Sequence, residues 1–176
     1  MDVVRKYETK SQRDMEINME ENVSIPKSNL YRFIWSNLNQ DTPVEEVEYK
    51  THKRKVGDKW EDYKLSYYKW SACWKKLMEK YPDATFKFKE FERDGKLYDV
   101  MYYADTSASV HCIVTINGVE REMWLPVMDF RNQSINNPSS KDINDTKMRC
   151  LVKCIAMFGL GFDLYDGTFQ QRNGDK

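Results

Sequence analysis

The chain has little of what most catalytic signatures are built from. It contains two histidines, His52 and His111, and neither has a nearby serine or cysteine in a recognisable nucleophile elbow. It has no P-loop and no G-x-G-x-x-G run, so ATP-driven chemistry is not expected. Formal net charge is zero, so no global field draws the protein to polyanions. No apolar run follows Met1, so neither a signal peptide nor a membrane span is expected. The four cysteines, Cys73, Cys112, Cys150 and Cys154, are read as reduced thiols of an intracellular protein.

What is present is unevenly placed. Residues 1–49 hold 6 Lys+Arg against 10 Asp+Glu, residues 50–93 hold 13 against 7, and residues 94–176 hold 9 against 11. The middle third is a basic block interleaved with aromatics, a composition that suits a nucleic-acid surface and also an ordinary solvated face.

The most informative stretch is 142–161, DINDTKMRCLVKCIAMFGLG. It reads as one helix, capped by Asp142 or Asn144 and stopped at Gly159 and Gly161. Ile143, Met148, Leu151, Val152, Ile155, Met157 and Phe158 make a wide buried side. Asp145, Arg149, Lys153 and Ala156 fall on a separate stripe at 100° per residue. Arg149 has two readings of equal weight: an intrahelical pair with Asp145, worth roughly 0.3 kcal/mol, or a phosphate contact. Lys153 has no acid one turn before or after it and sits in an apolar run, so it needs a use or a route to water.

Elsewhere the pattern predicts an α+β plan. Residues 1–23 show no sustained period and are expected to be flexible. Residues 24–38 predict a helical arm, with Ser24 as cap, Pro26 in the first turn and Leu30, Phe33, Ile34 and Leu38 at helical spacing. That helix either packs on its own domain or docks on a neighbouring subunit. Residues 44–51 alternate like a strand, and residues 52–62 read as a basic linker with a turn at Gly57-Asp58. Residues 70–81 predict a helix ended by Pro82; Lys69, Lys75, Lys76 and Lys80 lie beside or opposite its apolar stripe. Four strands follow at 84–91, 97–104, 107–116 and 119–128, with hairpin turns at Asp94-Gly95 and Asn117-Gly118. Phe86 and Phe88 fall on one strand face and Lys87 and Lys89 on the other. The expected organisation is a flexible segment at 1–23, a helical arm and basic linker at 24–62, a core domain at 63–168 and a tail at 169–176.

The candidate chemistry is sparse. The acids of the sheet region, Asp99, Asp105, Glu120, Glu122 and Asp129, show no spacing that a metal nuclease would want. Cys150 and Cys154, four apart on a helix and without a second pair at zinc spacing, read as small core residues. No cofactor and no metal is expected. Binding remains. Arg149 and Lys153 can reach adjacent phosphates, Lys87 and Lys89 can follow a strand backbone or merely guard a sheet edge, and Tyr98 or Tyr102 can stack on bases.

Several short motifs occur in order. They are Tyr68-Lys69-Trp70-Ser71-Ala72-Cys73-Trp74, Tyr81-Pro82-Asp83-Ala84-Thr85, Val114-Thr115-Ile116-Asn117-Gly118 and Trp124-Leu125-Pro126-Val127-Met128-Asp129. Asp142-Ile143-Asn144 and the run from Met148 to Gly161 complete the set. Together, over about residues 65–166, they resemble the phage Sak-type single-strand annealing proteins, and more distantly the eukaryotic strand-annealing recombination proteins. Where that family follows Gly-Leu-Gly with an aromatic and Ala-Gly-Glu-Asp, this chain has Phe162-Asp163-Leu164-Tyr165-Asp166; residues 52–62 and the arm lie outside the resemblance. The resemblance implies a β-β-β-α core of three to four antiparallel meandering strands flanked by helices. It implies ATP-independent binding and annealing of single-stranded DNA in phage-type homologous recombination, by a homo-oligomeric ring or helical filament rather than an enzyme. It places Lys153 and Arg149 at the DNA, with Arg131 and Asn132 near them; Lys69, Lys87 and Lys89 complete the expected set. It further implies the host bacterial cytoplasm, with a phage exonuclease or a single-strand-binding protein as possible partners and no membrane. The rivals are a metal-dependent DNA nuclease and an oligomeric assembly protein without nucleic-acid affinity.

Overall fold

A computed structural model describes residues 26–173. Helix α1 (Lys27–Leu38) starts behind Pro26, and the expected Ser24 cap lies outside the described residues. Ile34 and Leu38 are its buried positions. Tyr31 donates to the Met157 carbonyl (2.8 Å), and Trp35 meets Phe162 edge-on at 5.1 Å. Of the two readings of this helix, the structure has the one in which it packs on its own chain.

A short 3-10 turn leads into β1 (Val47–Val56) and β2 (Lys59–Tyr68), ten residues each, paired antiparallel around Gly57-Asp58. The stretch 52–62, expected as a linker, is therefore the outer part of a hairpin. Its turn was visible, but lysines filled the positions that normally alternate apolar and polar, so period two was masked. Among the described residues of the hairpin the buried ones are at its root, Val47 and Tyr68.

Helix α2 (Trp70–Lys80) buries Cys73 and Leu77. The chain then enters β3 (Thr85–Phe88), a small hairpin of β4 (Phe91–Arg93) and β5 (Lys96–Tyr98), β6 (Met101–Tyr102), β7 (Ala108–Ile116) and β8 (Val119–Pro126). The main sheet is four-stranded and antiparallel. Strand β7 is central, with β8 on one side and β3 and β6 on the other. The strand expected over 97–104 is split in two. The chain bends at Asp99 and Val100, burying Val100 and presenting Asp99 to Lys147.

Helix α3 (Ser140–Ala156) covers one face of the sheet. Its cap is Ser139, not Asp142 or Asn144. Asp142 is the third helical residue and closes a capping box: its backbone N–H donates to Ser139 Oγ, and its carboxylate accepts from the Ser139 backbone N–H. On β7, Val110, Cys112, Val114 and Ile116 turn toward α3 and are fully buried. The small Cys150 and Cys154 let the helix approach closely. Their thiols donate to the Met123 and Arg121 carbonyls, both at 3.2 Å. These cysteines are core residues, as the sequence suggests.

After α3 the chain turns through Gly159 and Gly161, both at positive φ. A Cβ on Gly161 would sit 2.5 Å from the Tyr68 ring, so the hairpin root can close on this turn only over glycine. Two short helices follow, α4 (Asp163–Asp166) and α5 (Thr168–Asn173). They are tied down by Asp163, which accepts from the Thr42 N–H (2.9 Å), the Thr42 hydroxyl and the Arg172 guanidinium (2.6 Å). Burial alone would raise the Asp163 pKa. The Thr42 donors and Arg172 outweigh it and hold the carboxylate below its usual range.

Candidate nucleic-acid interface

The solvent side of α3 carries four cations of two kinds. Lys141 bridges to Asp145 at 2.6 Å, and Lys147 bridges to Asp99 while lying over the Phe88 ring. Asp145 is thus taken from the N-terminal side and is not the partner of Arg149. Among the described residues, neither Arg149 nor Lys153 has a carboxylate within 4.0 Å. Both are half-buried. Partial burial, and then the neighbouring Arg149 charge, hold the Lys153 ammonium below the ordinary lysine value. Two adjacent cations that disfavour each other and lack an anion make a site that an external anion stabilises.

Aromatic rings stand beside these cations. Lys153 Nζ lies 4.9 Å from the centroid of Tyr165, which α4 holds 45% exposed. Arg149 and Tyr67 are both electrostatic neighbours of the Tyr165 hydroxyl. Tyr67, at the hairpin root, in turn carries Lys50 Nζ 5.4 Å above its ring. Lys153 with Tyr165 and Lys50 with Tyr67 are thus two cation–aromatic pairs, with Arg149 one helical turn from Lys153, and cations beside aromatic faces can hold a phosphate backbone while bases stack. Tyr165, Tyr67 and Lys50 are missing from the sequence reading. No local pattern links them to 149–153, because turns and a hairpin root bring them together.

The other expected residues fall elsewhere. Lys87 stands opposite Ile113 on the sheet face turned away from α3. On the same face Lys89 is engaged by Glu122 at 3.1 Å. Glu122 also meets His111 Nδ1 at 3.1 Å, and that bond, with Lys89, lowers its pKa. Lys69 precedes α2, exposed, with Nζ 3.5 Å from the Glu45 carbonyl. Arg131 and Asn132 lie in the exposed loop between β8 and α3. There Asp129 Oδ1 accepts from the Arg131 and Gln133 amides, and the Arg131 guanidinium lies over Phe130. The structure brings Arg149 and Lys153 together and sets Lys87 and Lys89 on the opposite side of the sheet.

Among the described residues no three His, Cys, Asp or Glu side chains gather as a metal ion would require, and no helix is long and apolar enough to cross a membrane. A comparison with curated proteins gives no match. The family model of the Sak single-strand annealing protein matches residues 34–173, a span that takes in the β1–β2 hairpin and most of α1, which the motifs alone had left outside. The chain belongs to the Sak single-strand annealing protein family.

Proposed function

We propose that this protein binds single-stranded DNA without sequence preference and without ATP, and anneals complementary strands in phage-type homologous recombination. The observation that carries the reading is the Arg149–Lys153 pair, which among the described residues lacks an internal anion and has the Tyr165 ring beside Lys153. Two cations one helical turn apart match successive backbone phosphates, and phosphate contacts carry no sequence information. A strand held this way keeps its base edges open, so a second strand pairs by its own hydrogen bonds. The protein then acts by binding rather than by bond chemistry. It does so as a homo-oligomeric ring or helical filament in the host bacterial cytoplasm, where a phage exonuclease would supply single strands. Arg131 and Asn132, and the more distant Lys69, Lys87 and Lys89, are secondary contacts in this reading.

Labelled complementary oligonucleotides mixed with the protein and magnesium, without nucleotide, test it. Accelerated duplex formation with intact strands is expected. Shortened strands would instead favour a magnesium-dependent nuclease.

A further inference from the structure

A cleft of about 750 Å³ lies between the first half of α1 and the β7–β8 turn. Its walls carry Lys27, Tyr31 and Arg32 from α1, and Glu120 and Arg121 from β8. None of these belongs to the Arg149–Lys153 track. Lys27, Arg32 and Glu120 are exposed, and Tyr31 and Arg121 are half-buried. Among the described residues none of the three cations has a carboxylate within 4.0 Å. Arg121 is fixed without one. Its guanidinium lies 4.0 Å from the centroid of the Tyr31 ring, and its Nη1 donates to the Glu120 carbonyl at 3.1 Å. The ring is itself anchored, because the Tyr31 hydroxyl donates to the Met157 carbonyl. The Glu120 carboxylate accepts from the Thr115 hydroxyl at 3.3 Å.

Three cations against one carboxylate leave these walls positive, in a chain whose total charge is zero. A backbone phosphodiester brings one negative charge, whereas a phosphate monoester brings about −1.5 to −2 at pH 7. The monoester is the closer match to the excess. The volume falls among small-molecule sites, roughly 300–1,000 Å³, and is more than a bare phosphate fills. A guanidinium held over an aromatic ring also gives a nucleobase a plane to stack on. We infer that the cleft binds a nucleotide through a terminal phosphate, with Lys27, Arg32 and Arg121 as the charge partners and the Arg121 plane against the base. The nucleotide is either free or the phosphorylated end of a strand, and the chemistry at the cleft is the same. This goes beyond strand annealing and does not depend on it.

Calorimetry with thymidine 5′-phosphate tests it, in the Arg149→Ala, Lys153→Ala double variant so that the track adds nothing. Saturable binding is expected, with unphosphorylated thymidine weaker by at least about tenfold. Lys27→Gln, Arg32→Gln and Arg121→Gln are each expected to weaken the nucleotide about tenfold, as for loss of one charged hydrogen bond. Lys27 and Arg32 are exposed, so their variants are expected to keep the parent's thermal melt and carry the test even if Arg121→Gln unfolds. A short oligothymidylate with a 5′-phosphate that binds at least as tightly as the mononucleotide makes the strand end the occupant. Weaker binding makes it the free nucleotide. No saturable binding of either overturns the inference. So does thymidine binding as well as its phosphate, or an affinity indifferent to the Lys27 and Arg32 substitutions.

Discussion

The two halves of helix α3 carry the same kinds of cation and treat them in opposite ways. In the N-terminal half Lys141 and Lys147 have acids at hand, Asp145 and Asp99. In the C-terminal half Arg149 and Lys153 have each other, and Lys153 has the Tyr165 ring. A surface lysine paired with an acid is finished as a structural element and contributes little to anything else. A half-buried pair without an anion costs the fold something and gains when an anion arrives. The difference teaches that counting lysines along a helix says less about binding than asking which of them have been neutralised.

The widest separation of the two halves comes from substituting both members of each pair. Arg149→Ala with Lys153→Ala is expected to weaken binding to oligonucleotides of any sequence by about a hundredfold at low salt, taking roughly 1.5 kcal/mol for each charged hydrogen bond. A mobility-shift titration reads this, and equal binding would erase the contrast.

Next in size is the clasp that fixes the surroundings of the C-terminal half. The Asp163 side chain is 8% exposed and joins Thr42 to Arg172, which also holds Asp41 at 2.7 Å. Asp163→Ala is expected to cost about 3 kcal/mol in a denaturant melt, because it leaves the Arg172 charge and the Thr42 donors without their acceptor. The folded carboxylate titrates below its ordinary value. Its stabilisation is therefore complete above the unfolded pKa, about 3.9, and fades as pH falls through the lower folded value. Asp163→Asn is expected to flatten stability against pH in that acidic window, and a melt that keeps the wild-type acid slope would exclude the clasp as its source.

A smaller effect belongs to the ring. Tyr165→Leu is expected to reduce affinity by roughly 1 kcal/mol, about fivefold, with stability little changed, as for loss of one stacking partner. Fluorescence anisotropy with a short labelled strand measures it, and an unaltered curve would remove Tyr165 from the track. The smallest change is expected for Lys141→Ala. An exposed i,i+4 pair contributes about 0.3 kcal/mol, and binding should stay within twofold. A loss as large as that of Lys153→Ala would show that neutralised and unneutralised cations are equivalent here.

The sequence made the core legible because its signals were local. The 70–80 helix, the Asn117-Gly118 turn, the alternation on β7 and the glycine stop after α3 all appear where period and turn chemistry place them. The Ser139 cap was missed because Asp142 is a good cap by type, and only the reciprocal bond shows it to be the box partner. The expected strand over 97–104 is split in the structure, and nothing in its composition marks the bend that buries Val100. The hairpin was hidden for a different reason. It is exposed along most of its length, with Trp60 68% accessible, so burial left no alternating pattern to read. The same holds for the site. Arg149 and Lys153 were visible as a stripe with a missing acid. Tyr165 joins them through a tertiary contact that no spacing encodes.

The most direct measurement is the salt dependence of binding. Each lost phosphate contact on a single strand should reduce the slope of log affinity against log salt by about 0.7. Wild type and the Arg149→Ala, Lys153→Ala double variant are expected to differ by about 1.4, while Lys141→Ala keeps the wild-type slope. Parallel lines for the double variant and wild type would contradict the claim that this pair meets a phosphate backbone.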